Sequence, residues 1–380
     1  MKGDAVTRED NPTKRGRLAG IGHGIDRLRE WWENAKVWQR YLVYILLVVG
    51  ALILPSPAIG SFMSPGSDWT TVLIYPIGTY ILLAVGLNVV VGQAGLLDLG
   101  FVAFFAIGGY SVAYYGVNHG WNYWATVAFG IILAAVSGVI LGAPTLRLRG
   151  DYLAIVTLGF GEIVRITANN TDEIGGARGI AGIPHPPPMF GTKFGILAAP
   201  YYYLIVAAIV LVIIFSVRLQ KSRVGRAWAA IREDEDAAEL MGVPTFKFKL
   251  LAFAIGAMIG GLAGGIYAGK ANFIEPNTFP FILSATILAA VVLGGSGNLP
   301  GVIVGAFLIG WLPERFRDFS EARILIFGGV LVLMMALRPE GLLPSRRRKA
   351  ELHEGTGGMG TMGAEVPGPD TDVPTTEAAK

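Results

Sequence analysis

Cysteine is absent from the 380-residue sequence, and histidine is scarce, with four residues in all. Without cysteine the chain cannot form a disulfide, bind a metal through thiolates or use a thiolate nucleophile. The four histidines, His23, His119, His185 and His353, all lie outside the long apolar runs. The sequence therefore argues against a haem, a zinc site or a histidine base buried among membrane helices.

Charged residues are also few, at 16% of the chain, compared with about 25% in an ordinary soluble domain. Hydrophobic residues make up 53% and form runs long enough to cross a hydrocarbon core of about 30 Å. This pattern predicts an all-α, polytopic membrane protein. We predict nine spans near 40–58, 72–92, 95–116, 122–143, 200–217, 250–270, 279–296, 300–315 and 322–338, and a tenth, short and polar, at 151–166.

The basic residues indicate which ends of the spans face the cytoplasm. Nine Lys or Arg precede residue 41, seven lie between Arg218 and Lys249, and a cluster follows the last span, whereas 59–71 and 117–121 contain none. With ten spans these basic segments share one side, so the positive-inside rule predicts that both termini are cytoplasmic. No short apolar segment with a cleavage site opens the chain, so we expect the first span to remain in the mature protein.

Three regions follow from these patterns. Residues 1–38 are predicted to be a cytoplasmic extension with an amphipathic helix at the membrane interface. Residues 39–345 are the predicted transmembrane domain, which includes a cytoplasmic loop at 218–249. Residues 346–380, rich in Gly, Pro, Thr and Glu, are predicted to be a disordered cytoplasmic tail. The net charge of +3 is not gathered on one basic face, so nucleic acid is not an expected partner.

The stretch 86–110 is apolar, yet it contains Asn88, Gln93 and Asp98. Polar groups within a membrane are costly, and they often mark a transport pathway. Gly92 and Gly95 predict a helix break where the second and third spans meet, so the polar groups either line a translocation path or cap that break. The candidate path residues are Asn88, Gly92, Gln93, Gly95, Asp98, Thr157 and Glu162.

Three other patterns have weak functional interpretations. "GGIYAGKA" at 264–271 lacks the hydroxyl of a phosphate-binding loop because Ala271 occupies that position, and it ends an apolar run instead of joining a strand to a helix. "GGSG" at 294–297 places Ser296 in the pattern of an intramembrane protease, but no span supplies a histidine base. Glu162 and Arg165 fit an internal ion pair as well as a transport role, within a helix expected to be broken or partly re-entrant.

The loop at 218–249 has helical signals of its own. Trp228 and Ile231 lie on one predicted helix face, and Asp236 followed by Glu239 resembles a capping box. Gly242 and a following proline are expected to end this short helix. A short helix between two spans, flanked by cations, is typical of a docking element.

Several segments resemble the branched-chain amino acid permease family of ATP-binding-cassette importers, and its longer LivM-type subunit in particular. "DAAELMG" at 236–242 is similar to the E-A-A-x-x-x-G coupling loop of such permeases, with Asp236 in place of Glu. "GLNVVVGQAGLLDLGFVAFFAIGGY", "LRLRGDYLAIVTLGFGEIVR", "VVLGGSGNLPGVIVGA" and "LRPEGLLP" resemble other family segments, and the resemblance covers about residues 72–345. The sequence departs from the family at Asp98, where a small polar residue is usual, and at Phe101.

The resemblance implies a non-enzymatic permease subunit in a bacterial cytoplasmic membrane. It would act beside a paralogous LivH-type permease, two ATPase subunits and an extracytoplasmic binding protein that delivers leucine, isoleucine or valine. The chain itself would contact lipid and bind no cofactor, since ATP and magnesium would be used by the ATPase subunits. The expected ATPase contacts are Arg226, Asp236, Ala237, Ala238 and Gly242.

Three alternatives remain open from the sequence. A permease for urea or short amides has nearly the same architecture, and only its ligand would tell it apart. An ion-coupled secondary transporter would take up solute without ATPase subunits. An intramembrane enzyme would need a catalytic base that the predicted spans lack.

Overall fold

The computed structural model describes residues 50, 53–56, 60, 63, 68–146, 151–188, 194–195, 198–315, 328–329, 332 and 341–343. The chain divides into two units, Met1–Ile59 and Gly60–Lys380, and almost all of the described residues belong to the second. The predicted interfacial helix, the predicted tail and the domain boundaries near 38 and 345 lie outside the described residues. So does most of the predicted spans 40–58 and 322–338.

The first described span runs from Trp69 to Gln93 and changes its helical type along its length. It consists of α1 (Trp69–Val72), a π-helical turn (Leu73–Gly78), α2 (Thr79–Leu87) and a second π-helical turn (Asn88–Gln93). Tyr75, just before Pro76, has the extended backbone angles φ −140° and ψ 122°, because a residue preceding proline is disfavoured in the helical region.

The remaining helices follow one another along the described chain. They are α3 (Val102–Asn118), α4 (Tyr123–Thr145), α5 (Asp151–Asn170), α6 (Ala198–Lys221), α7 (Arg223–Glu233), α8 (Glu235–Leu240), α9 (Thr245–Ala271), α10 (Phe281–Gly294) and α11 (Leu299–Arg315). Within the described residues, five segments are long and apolar enough to cross a membrane: Trp69–Gln93, Tyr123–Thr145, Ala198–Lys221, Thr245–Ala271 and Pro276–Gly294. The described part of the chain is therefore that of a multi-pass, helical membrane protein.

Two sequence predictions about helices are wrong. The helix expected at 95–116 begins only at Val102, because the chain turns at Gly95 (φ +73°) and stays irregular until Phe101. The helix expected to be broken at 151–166 is instead continuous from Asp151 to Asn170. The Glu162–Arg165 pair lies along that unbroken helix, so a local i, i+3 contact accommodates the charges without a backbone break.

Helix α9 lies at the centre and packs against α2, α3 and α4. Its glycines recur every fourth residue, a spacing that predicts close helix packing. The packing is confirmed: a Cβ on Gly264 would lie 2.0 Å from the carbonyl oxygen of Phe105, and one on Gly261 would lie 2.7 Å from the Cβ of Ala134. These contacts are internal to the chain.

Different parts of the chain lie at the two ends of α9. One end begins directly after α8, and the other leads into β2 (Phe273–Ile274), which pairs antiparallel with β1 (Ile180–Ala181). Short 3-10 turns at Asp172–Ile174, Gly176–Arg178 and Pro276–Thr278 lie in the loops beside this small sheet. The loop at 218–249 and the loops beside this small sheet therefore lie at opposite ends of the central helix.

Candidate coupling and translocation site

The predicted break near residue 92 is the end of the first described span. The turn Asn88–Gln93 is π-helical, a form that is frequent at functional sites. Gly92 has no room for a side chain, because a Cβ there would lie 2.0 Å from Asn88 Oδ1 and 2.5 Å from the backbone nitrogen of Gly297. Gly95 then takes a left-handed backbone with φ +73°, which ends the helix.

Asn88 joins this break to the loop that follows α10. Its Oδ1 accepts a hydrogen bond of 2.8 Å from the Gly297 backbone N–H, and its side chain is fully buried. The same loop reaches the C-terminal segment, because Asn298 Nδ2 donates to the Leu343 carbonyl at 2.7 Å. The Leu342 N–H in turn donates to the Leu293 carbonyl at 2.8 Å. The loop 294–298 is thus a junction of three chain segments.

Asp98 lies in the irregular segment between the break and α3, and it is fully buried. Its Oδ1 accepts from the Gly100 N–H at 2.8 Å, whereas its Oδ2 has no hydrogen-bond partner among the described residues. Burial raises the pKa of this carboxyl to about 6, against the smaller, opposite effect of the Gly100 N–H. Thr157 holds the same segment from α5, because its Oγ1 accepts from the Leu99 N–H at 3.0 Å.

The other two path candidates differ from this group. Both amide atoms of Gln93, Nε2 and Oε1, are buried and lack a hydrogen-bond partner within the described residues. Glu162 instead accepts from Arg165 Nε at 2.8 Å along α5, and about 30% of each of these two side chains is exposed. The structure therefore brings Asn88, Gly92, Gly95, Asp98 and Thr157 to one region and leaves Glu162 in an ion pair on its own helix.

The loop 218–249 forms two helices in sequence, each with its own cap. Ser222 caps α7 by accepting from the Val224 and Gly225 N–H groups, and Trp228 and Ile231 are buried on one face, as predicted. For α8 the predicted cap is wrong, because Asp234 and not Asp236 accepts from the Ala237 N–H, at 3.0 Å. The end of α8 is as predicted, with Gly242 at φ +84°.

Two contacts hold these helices against the start of α9. Trp228 Nε1 donates to the Phe248 carbonyl at 2.7 Å, and Glu235 forms an ion pair with Lys249, whose side chain is 5% exposed. The sequence did not single out this ion pair, because its partners are fourteen residues apart and lie on different elements.

Helix α8 presents its tip outwards. Leu240 and Met241 are 88% and 85% exposed, whereas Ala238 is buried at 5%. Of the predicted ATPase contacts, Ala238 therefore packs inwards, and Arg226, Asp236, Ala237 and Gly242 are exposed. Exposed large apolar side chains at the end of a six-residue helix are typical of a surface that another protein covers.

One arginine links the two regions. Arg232, near the end of α7, donates through Nη1 to the carbonyl oxygen of Gly92 at the break. Nothing in the sequence distinguishes Arg232 from the other six cations of the loop. In the described part of the chain, no three histidine or carboxylate side chains are grouped to hold a metal ion.

Comparison with known families places the chain. Residues 70–337 match the family model described as the branched-chain amino acid transport system / permease component. The chain belongs to this family. The match includes the break, the loop 218–249 and the loop after α10, so the coupling and path candidates all lie in the family domain.

Individual members of the permease family are similar to the chain at different distances. The high-affinity branched-chain amino acid permease LivM of Escherichia coli is 44% identical over 299 residues, covering 73% of this chain and 70% of the relative. A probable LivM of Methanocaldococcus jannaschii is 26% identical and the LivH permease of E. coli 24%, covering 73% and 70% of this chain and 94% and 91% of those relatives. No solved structure matches the chain. The expected membership of the LivM-type branched-chain amino acid permeases is confirmed.

Proposed function

We propose that this chain is the transmembrane permease subunit of an ATP-binding-cassette importer that carries leucine, isoleucine and valine. The observation that supports it most is the 44% identity to a LivM permease over 73% of the chain. The architecture also suits a permease, because long apolar helices are joined by a loop at 218–249 that forms two short helices.

The proposed topology has about ten spans with both termini in the cytoplasm of a bacterial cell. It is supported by Arg218, Lys221 and Lys249, which lie at the end of α6 and α9 that carries the loop 218–249 and outnumber Lys270, the basic residue in the last turn of α9. The outer end is the end with β1 and β2. A LivM-type importer in the cytoplasmic membrane would receive its solute there.

ATP hydrolysis is assigned to partner subunits, and this chain is assigned the receiving surface. The tip of α8 supplies an exposed apolar anchor in Leu240 and Met241, and Arg226 and Asp236 supply exposed charges nearby. Interfaces commonly combine a central apolar anchor with a polar rim. Two ATPase subunits, one for each of two paralogous permeases, would complete the importer.

The translocation path is assigned to the break and to the exposed face of α5. Glu162 lies about 16 Å along α5 from Asp151, roughly midway along a helix of membrane-spanning length. A charged side chain that faces lipid at that depth costs about 3 kcal/mol or more. The partly exposed Glu162–Arg165 pair therefore supports an environment of water or of the paralogous permease around these two charges.

The test is reconstitution in liposomes with the paralogous permease, the ATPase subunits and the binding protein, with ATP inside and labelled leucine outside. We expect leucine, isoleucine and valine to enter only with hydrolysable ATP, and urea to be excluded. A preparation with a non-hydrolysable ATP analogue is the matched control. ATP-driven entry of urea instead of leucine would show that the substrate assignment is wrong. Ion-driven uptake by this chain without ATPase subunits would refute the assignment to an ATP-binding-cassette importer.

A further inference from the structure

A hydrogen bond between Arg232 and Gly92 joins α7 to the turn Asn88–Gln93. We call α7 and α8 the coupling helices, and this turn the polar break. Arg232 lies one residue before the end of α7, and α8 begins two residues after that end. Its Nη1 donates to the Gly92 carbonyl, one of the last carbonyls of the π-helical turn. The last carbonyls of a helix have no partner within the helix, so a cationic donor there is favourable.

The backbone around this contact is shaped to admit the arginine. A Cβ on Gly297 would lie 2.9 Å from Arg232 Nη1 and 3.0 Å from the Gly92 carbonyl oxygen. A Cβ on Gly95 would lie 3.0 Å from Arg232 Cγ. Gly95 and Gly297 both have left-handed backbones, with φ +73° and +86°, so side chains are disfavoured there on two grounds. The absence of side chains at Gly95 and Gly297 therefore leaves the space that the Arg232 side chain occupies.

The two helices on the other side of the contact, α7 and α8, are both joined to α9. Trp228 and the Glu235–Lys249 ion pair join α7 and α8 to the start of α9. A displacement of the α8 tip is therefore expected to move α7, α8 and the start of α9 together. Arg232 is where that body is bonded to the break that carries the path candidates.

We propose that Arg232 is a positioning residue that carries motion of the coupling helices to the polar break by staying bonded to Gly92 during the transport cycle. This rests on the proposed function, because it presupposes an ATPase that moves α8. The residue touches neither solute nor nucleotide. Its role is to make the turn Asn88–Gln93 follow the ATPase.

The first test is Arg232→Gln in the reconstituted importer, with Arg223→Gln as the matched control. Arg223 is an exposed arginine on the same helix, so its substitution removes an equal charge without the contact. We expect Arg232→Gln to retain the ATPase subunits and their hydrolysis but to lower the solute transported per ATP about tenfold, equivalent to about 1.4 kcal/mol. Arg223→Gln should leave this ratio unchanged. If Arg232→Gln transports as much solute per ATP hydrolysed as the wild type, the proposal is overturned. This holds whether or not the variant binds less of the ATPase subunits.

The second test replaces the hydrogen bond by a covalent one and decides the question if Arg232→Gln does not assemble. A Cβ on Gly95 would lie 3.4 Å from Arg232 Cβ, close to the roughly 3.8 Å of a disulfide, and the chain has no other cysteine to interfere. We expect the Gly95→Cys, Arg232→Cys variant to be uncoupled when reduced and coupled again when oxidised. Equal ratios of solute to ATP in the two states refute the role, and Gly95→Cys alone controls for strain at Gly95.

Failure of this inference is distinguishable from failure of the proposed function. If the unsubstituted complex shows no ATP-driven uptake, the importer itself is refuted. If that complex transports solute and the Arg232→Gln complex transports the same amount of solute per ATP hydrolysed, only the proposed role of Arg232 is refuted.

Discussion

The ion pair between Glu235 and Lys249 makes a sharp prediction, because its two partners differ in exposure. The Lys249 side chain is 5% exposed and that of Glu235 is 30% exposed. Glu235→Gln leaves a buried ammonium without its carboxylate, whereas Lys249→Met leaves a carboxylate that can turn towards water. The substitution of the exposed partner is therefore expected to be the more damaging one.

The magnitude follows from the degree of burial. Breaking a fully buried pair from one side costs about 3–5 kcal/mol, and an exposed pair contributes about 0–1 kcal/mol. Since Glu235 is partly solvated, we expect about 2 kcal/mol for Glu235→Gln. Lys249→Met should cost about 0–1 kcal/mol, because a buried methylene chain is kept and a desolvated charge is removed. In a domain of this size 2 kcal/mol lowers the melting temperature by roughly 4 °C.

The assay is the melting temperature of the purified permease in detergent, read from tryptophan fluorescence, for the wild type, the two single variants and the double variant. The double variant Glu235→Gln, Lys249→Met should melt close to Lys249→Met alone, since the stranded charge is gone. ATPase co-purification should follow the same order, because α8 is held by this pair. Equal melting temperatures for the two single variants, or a double variant as unstable as Glu235→Gln, would refute the reasoning.

Three further predictions concern the break and the coupling loop. Gly92→Ala should prevent stable assembly, because its Cβ would lie 2.0 Å from Asn88 Oδ1, whereas Gly159→Ala, with open space around it, should melt at or slightly above the wild-type temperature. Because burial raises the pKa of Asp98 from 3.8 to about 6, stability is lost as the pH rises through that range, and Asp98→Asn should raise the melting temperature at pH 8 but not at about pH 4. Normal uptake by this variant would remove the charge from the mechanism. Gly242→Asp, at φ +84°, should abolish ATPase co-purification and solute-stimulated hydrolysis, and the docking assignment fails if both persist.

The sequence predicted the membrane architecture because hydrophobic length is a local property. A run of about 20 apolar residues has few alternatives to a spanning helix, and the helices at 122–143, 200–217 and 250–270 appear within a few residues of the predictions. The helix expected at 95–116 begins late for a non-local reason. Four of its first seven residues are large and apolar, but Gly95 turns the backbone and the Leu99 N–H donates to Thr157 Oγ1 of α5, 58 residues away, so the chain packs against α5 as a loop.

The candidate site was only partly accessible to sequence reasoning. Asn88, Gly92 and Asp98 attracted attention because polar or small residues interrupt an apolar run. Gly297 did so only as part of a protease-like pattern, and Arg232 did not, because the contact of each with Gly92 becomes visible only in the fold. Contacts across 140 or 209 residues leave no periodic signal in a single sequence.

Among the polar residues of the break, Gln93 most directly tests whether the path runs there. Asn88 is held through its Oδ1 by the Gly297 N–H and has only its Nδ2 without a partner, whereas both amide atoms of Gln93 are buried and lack a partner in the described chain. An unpaired buried amide costs about 1–3 kcal/mol, which implies that water, the paralogous permease or the solute satisfies it in the assembled importer. We expect Gln93→Leu to melt at or above the wild-type temperature and to transport less solute per ATP. Asn88→Leu should instead lower the melting temperature, because it removes the junction with Gly297. Unchanged uptake by Gln93→Leu would exclude this amide from the translocation path.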